Sequence, residues 1–158
     1  MSPLDAGGAL AVRSLLPPPW PELAPLVKQS EREGFRFLAR LRREFDEGAN
    51  RFDAPGETLL GCRRGAELVA VGGLNRDPWS PEPRAGRLRH LYVGPASRRC
   101  GVGRMLVDAL VAAARPHFGV LLLRTDTPAA ARCYEALGFA AVASPHATHR
   151  MALGAFGG

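Results

Sequence analysis

The chain has 158 residues, 46% hydrophobic and 23% charged, the length and balance of one globular domain with a full core. This excludes disorder as a whole-chain reading, and no run reaches the roughly 18 uninterrupted apolar residues of a membrane span. The formal charge is +6 and Lys28 is the only lysine; the arginines are scattered with no basic stripe, which argues against nucleic acid and suits a small polyanionic ligand.

The N-terminus lacks the basic start and cleavage site of a secretory signal, so a cytoplasmic protein is expected. The three cysteines, Cys62, Cys100 and Cys133, are odd in number and widely spaced, without a CxxC pair or histidines at zinc-ligand spacing. They read as reduced structural thiols. Residues 1–20 end in LLPPPW, a run that cannot be helical, and are read as an N-terminal arm or opening strand. Residues 21–158 are read as a single domain.

Apolar periodicity predicts a short helix over 21–29 and a longer one over 31–47, with Phe35, Leu38, Leu41 and Phe45 on one face. The stretch 57–75 reads as two strands joined by a turn at Arg63 to Gly65, and RLRHLYV at 87–93 as a third strand. GPASRRCG follows, and from Val102 the apolar residues mark one helix face up to Pro116. VLLLR at 120–124 has the uniform character of a buried strand. Thr127 is a candidate N-cap with Pro128 at the first helical position and Gly138 at the helix end. AAVAS and ATHRMAL close the chain as two strands. The order predicts a mixed α/β, or α+β, domain.

The most informative stretch is the strand that runs through a glycine-punctuated turn into a helix. Such a turn aims backbone N–H groups, backed by the helix dipole, at one point, and an anion binds there. Gly101 and Gly103 lack the Cβ atoms that would block a phosphate, while Arg98, Arg99 and Arg104 can neutralise its charge. The spacing fits neither a Walker loop nor a dinucleotide fingerprint.

Arg98-Arg99-Cys100-Gly101-Val102-Gly103 resembles the acetyl-CoA motif Q/R-x-x-G-x-G/A of the GNAT family of N-acetyltransferases, and Ala130 to Phe139 is similar to its A-x-x-x-Y-E-x-L-G-F element. The resemblance spans roughly residues 21–153. It implies a mostly antiparallel central sheet with splayed middle strands flanked by helices, and acetyl-CoA as co-substrate. It assigns cofactor contacts to Leu91, Val93, Arg98, Arg99, Cys100, Gly101, Val102, Gly103 and Arg104, with Cys100 only a backbone donor. It makes Tyr134 the general acid: a phenol of pKa about 10 beside a thiol of about 8.5 can assist thiolate departure.

Two positions depart from the family pattern. Arg87 stands where many relatives carry a glutamate that helps deprotonate the amine, leaving His90, Glu67 or Asp77 as substitutes, or an amine whose pKa is low enough to need no base. Thr127 stands where many have an asparagine. Glu135 reads as a solvated face residue, and His146 and His149, in the closing hairpin and read as lacking a carboxylate partner, are weak evidence for a metal. Glu33, Phe35, Arg36, Asn50, Arg51, Phe52 and Asp53 could wall an acceptor cleft. The expectation is direct acetyl transfer to a primary amine of a small molecule or peptide by a monomer or homodimer. The alternatives are a non-catalytic acyl-CoA-binding or regulatory module of the same fold and a small basic nucleic-acid-binding protein.

Overall fold

A computed structural model describes residues 8–99 and 101–154. Strands β2 (Thr58–Arg64) and β3 (Glu67–Arg76) form the expected antiparallel hairpin. Eight consecutive residues of β3, Leu68 to Asn75, are buried, because both faces of this strand are covered. Strand β1 (Leu10–Ser14) lies antiparallel on β2, with Val12 opposite Cys62. The boundary expected at residue 20 therefore does not fall there. Leu10 and Val12 pack against the core, and Leu15 fills the space over Gly61, where an added Cβ would stand 2.7 Å from its Cδ1. The first seven residues of the expected arm lie outside the described residues.

Helices α1 (Trp20–Arg32) and α2 (Phe37–Glu47) follow β1. The apolar period suggested one helix from 31 to 47, but Gly34 at φ +88° ends the first and reverses the chain, a conformation glycine adopts without a Cβ penalty. Strand β4 (Ala85–Val93) pairs antiparallel with β3. Helix α3 (Val102–Ala114) crosses over to β5 (Val120–Leu123), which runs parallel to β4. Helix α4 (Pro128–Ala136), β6 (Ala140–Ala141) and β7 (His149–Ala152) complete the domain. The closing strands are shorter than AAVAS and ATHRMAL suggested. Among the described residues seven strands stand in the order β1-β2-β3-β4-β5-β7-β6, antiparallel except for β4 and β5.

The sheet separates two apolar clusters. Leu106, Val107 and Leu110 of α3 meet Cys62, Leu74 and Leu88 on one side; Leu23, Leu26, Leu38 and Leu41 of α1 and α2 meet Leu59, Val71 and Tyr92 on the other. Two features of β4 shape the site. Only Ala85, Gly86 and Arg87 pair with β5, so the rest of that edge has no strand beside it. Between the pairs Val71–Tyr92 and Gly73–Arg89 the register shifts, and the extra residue falls at His90, held at φ +59°. That bulge places Arg89 and His90 on the α1–α2 side and returns Leu91 to the α3 side.

Candidate functional site

After Val93, a short 3-10 turn (Pro95–Ser97) leads to Gly101, which is the N-cap of α3 at φ +80°. No side chain caps the helix, so its first N–H groups are left for a ligand. Among the described residues a Cβ added at Gly103 would meet only Val93 Cγ2, at 3.7 Å, which leaves the mouth of the turn open. Arg99 and Arg104 are exposed beside it, with no ion pair among the described residues. Cys100 lies outside the described residues.

Arg98 is placed differently from the sequence expectation that its charge would face the anion. Its Nη1 and Nη2 donate to the two carboxylate oxygens of Glu33 at 2.7 and 2.6 Å, its Nε donates to the Val93 carbonyl at 3.0 Å, and its guanidinium lies 5.4 Å from the Tyr92 ring centroid. The Tyr92 hydroxyl also donates to Glu33. The Arg98 and Tyr92 hydrogen bonds hold the Glu33 carboxyl down at about 2, while burial, then Glu33, pushes Tyr92 up to about 12. Arg98 thus ties the turn to the α1–α2 connection, and the net positive charge at the turn comes from Arg99, Arg104 and the helix end.

The β4 edge that leads into this turn carries Leu91 and Val93. Their side chains face α3: a Cβ on Gly72 would stand 2.9 Å from Leu91 Cδ1. The backbone on the β5 side is left without a strand partner, an arrangement that accepts an extended amide-bearing ligand as an added strand. Tyr134 packs against the same apolar cluster as Leu91 and Val93, with Phe139 edge-on at 5.7 Å. Its hydroxyl has no hydrogen-bond partner among the described residues, and burial, then the neighbouring Cys133, raises its pKa, so it stays protonated. The Thr127 hydroxyl caps α4 as expected, accepting from the Ala130 N–H at 3.2 Å.

The candidates for a base separate clearly. Arg87 donates to Asp77 Oδ2 at 3.1 Å and to the His146 carbonyl at 2.7 Å, and stacks on Trp79 at 4.6 Å. Only 1% of the Asp77 side chain is exposed, and its other oxygen accepts from the Trp79 and Ser80 N–H groups. The pair is a staple between loops, which removes Asp77 as a base. Glu67 is exposed at the hairpin turn. His90 is buried, and its Nδ1 lies 3.0 Å from the Phe37 carbonyl, so Nδ1 carries the proton. Its Nε2, also buried, has no partner. Burial, then Arg89, lowers its pKa to about 3, so it presents a neutral lone pair on the α1–α2 side of the bulge.

Glu135 is exposed, as the sequence reading expects, but its Oε2 also lies 2.9 Å from Nε2 of the buried His149, a partner that sequence reasoning missed. No group of three metal-ligating side chains occurs among the described residues, and no helix among them is long and apolar enough to cross a membrane.

A sequence model of the Acetyltransferase (GNAT) family matches residues 11–139. Mycothiol acetyltransferase of Clavibacter sepedonicus is 34% identical over 130 residues, covering 77% of this chain and 42% of that protein. N-alpha-acetyltransferase RimI of Mycobacterium tuberculosis is 34% identical over 86 residues, 54% of each chain. The chain thus spans about half the length of these curated relatives. Among solved structures, a protein of Exiguobacterium sp. 255-15 assigned as an acetyltransferase superposes with a TM-score of 0.79 at 26% identity, covering 91% of this chain and 93% of that one. The yncA protein of Salmonella typhimurium, solved with its cofactor acetyl-CoA, gives a TM-score of 0.64 at 15% identity over 96% of this chain and 98% of its own. With the motif turn, the interrupted strand pairing and the family model over residues 11–139 in agreement, the chain belongs to the GNAT family of acetyltransferases.

Proposed function

We propose that this protein is an acetyl-CoA-dependent N-acetyltransferase that passes the acetyl group directly to a primary amine of a small molecule or peptide. The observation that carries this reading is the unpaired β4 edge running straight into an unblocked glycine turn at the start of α3. The backbone of Leu91 and Val93 would hold the amides of the donor. The turn formed by Arg98, Arg99, Cys100, Gly101, Val102, Gly103 and Arg104 would hold its phosphates, with Arg98 acting through its bond to Val93 rather than as a free charge. When bound, acetyl-CoA supplies a thioester activated toward amines.

The remaining chemistry belongs to the chain. Tyr134, kept protonated by burial, holds a proton at its hydroxyl for the departing sulfur. His90 Nε2 would accept a hydrogen bond from the incoming amine, and the proton that the amine loses on attack would leave to bulk water, since an imidazole held at a pKa of about 3 does not take it up. A neutral acceptor fixed by Phe37 orients the nucleophile without carrying charge. The names of the relatives, a mycothiol acetyltransferase and an N-alpha-acetyltransferase, support an amine acceptor in this range. The free thiols of the buried Cys62 and the exposed Cys133 suit a reducing cytoplasm.

The test is CoA thiol release from acetyl-CoA against pools of amino acids, polyamines, aminoglycosides and N-terminal peptides. Release that requires an amine and falls roughly 10- to 1,000-fold in Tyr134→Phe, with unchanged acetyl-CoA affinity, is the expected outcome. Calorimetric binding of acetyl-CoA with no release from any pool would favour the non-catalytic module, and an undiminished rate in Tyr134→Phe would remove that residue from the chemistry.

A further inference from the structure

Helix α4 carries Tyr134, whose ring is partly buried against the α3-side cluster, yet no residue of the helix is fully buried. A helix so short and so weakly packed does not hold a side chain to a fraction of an ångström by apolar contact alone. Its seat comes from a few identifiable attachments. Thr127 caps one end, and the Tyr134 carbonyl accepts from the Phe139 N–H at 3.0 Å at the other. Between them, on the flank next to Tyr134, stands Glu135.

Glu135 is the end of a polar chain that begins in the β5–α4 connection. The Thr125 N–H donates to Thr148 Oγ1 at 3.0 Å. That oxygen lies 2.9 Å from His149 Nδ1, and His149 Nε2 lies 2.9 Å from Glu135 Oε2. Because the Thr148 oxygen already accepts from a backbone N–H, its own hydrogen is available to Nδ1. The imidazole proton is then on Nε2, where it is donated to the carboxylate. Every group in the chain has its partner, and His149 is only 4% exposed. A fully satisfied chain of this kind fixes orientation more firmly than its single bonds suggest.

We infer that His149 and Glu135 are positioning residues for Tyr134: the polar chain from Thr125 through Thr148 and His149 to Glu135 sets the rotation of α4 about its axis and thereby aims the Tyr134 hydroxyl. The inference rests on Tyr134 as the general acid. Nothing in it requires His149 to touch either substrate.

Glu135, half exposed, can be changed without opening the core, and the chain has only two tyrosines, Tyr92 and Tyr134. Protein labelled with 13Cζ-tyrosine therefore gives two ring resonances, and Tyr134→Phe identifies which is which. Glu135→Ala is expected to move or broaden the Tyr134 resonance and leave that of Tyr92 in place. Glu135→Gln, whose amide oxygen still accepts from Nε2, is expected to restore the wild-type spectrum. In turnover with the amine found by the pooled assay, Glu135→Ala should lower kcat roughly 5- to 30-fold with KM for acetyl-CoA within about twofold. In the Tyr134→Phe background it should cost nothing further, since the group it aims is gone.

An unmoved Tyr134 resonance in Glu135→Ala overturns the inference, as does an equal kcat loss with and without the Tyr134 hydroxyl. An unchanged rate in Tyr134→Phe itself is a different failure, that of the general acid, and it is recognised before Glu135 is touched.

Discussion

On the α3 side of β4, Leu88, Leu91 and Val93 point into a continuous apolar cluster, and the strand's continuation is a glycine turn where space and backbone N–H groups are what matters. On the α1–α2 side, polar and aromatic side chains of the same strand are each held from another element. Arg89 meets Glu44 at 3.6 Å, His90 meets the Phe37 carbonyl at 3.0 Å, and Tyr92 donates to Glu33. One face is specified by what is absent, a Cβ or a neighbouring strand, and the other by who pairs with whom. The first should tolerate small side-chain changes and fail when space or charge is altered; the second should do the reverse.

The largest expected effect lies on the donor face. At Gly103 an added Cβ makes only an ordinary contact with Val93, so Gly103→Ala should leave acetyl-CoA binding nearly intact. Gly103→Asp sets a like charge against the phosphates, and an uncompensated like-charge contact costs several kcal/mol, which is at least about 100-fold in Kd. Calorimetry should show affinity lost with a melting temperature close to wild type. Wild-type affinity in Gly103→Asp would place the anion elsewhere.

The side-chain pairs should break differently. Asp77→Ala leaves the Arg87 guanidinium, 8% exposed, without its carboxylate, and breaking a buried pair from one side costs about 3–5 kcal/mol. Denaturant titration should report that loss. Replacing both partners, as Asp77→Ala with Arg87→Met, should recover most of it. If the single variant were as stable as wild type, the staple would not hold the β3–β4 loop, and Arg87 would be open to a role in the cleft.

The same contrast explains how much the sequence makes legible. The turn at Gly101 and Gly103, helix α3 and the Thr127 cap depend on neighbours within a few positions, so period and glycine spacing reveal them. The sequence shows two helices but puts their break near residue 30 rather than at Gly34, because apolar residues recur at helical spacing on both sides of that glycine, whose positive φ ends the first helix. Strand β1 is only half legible, since its shortness and the prolines behind it leave an arm and an opening strand as equal readings, and the opening strand is the one formed. The polar pairs are hidden for another reason. Glu33 with Arg98, His149 with Glu135 and Arg87 with Asp77 are 65, 14 and 10 residues apart, and a charge in a sequence does not name its partner. Arg98 thus reads as a phosphate ligand until the fold brings Glu33 to it, and Glu135, exposed as the sequence suggests, gains in His149 a partner that the sequence does not name.

His90 gives the finest test of the acceptor face, through pH. Its pKa is lowered from 6.5 to about 3 in the fold, so between these values the unfolded chain binds a proton that the folded chain refuses. Its stabilising contribution is therefore complete above about pH 6.5 and is lost as pH falls toward 3, by up to about 1.4 kcal/mol per unit. The cations that oppose its protonation are Arg89 and Arg40, and the Phe37 carbonyl favours it. The lowered pKa of Glu33 acts below its ordinary 4.5, so the interval from pH 6.5 to 5 isolates the imidazole from that carboxylate. Urea titrations at pH 7.5, 6.5, 5.5 and 5.0 should show stability declining across this interval in the wild type. The decline should flatten in His90→Asn, a residue that tolerates the positive φ at the bulge. An identical slope in the variant would mean that the imidazole protonates freely in the fold, and with that the neutral lone pair beside the β4 bulge would be gone as an anchor for the amine.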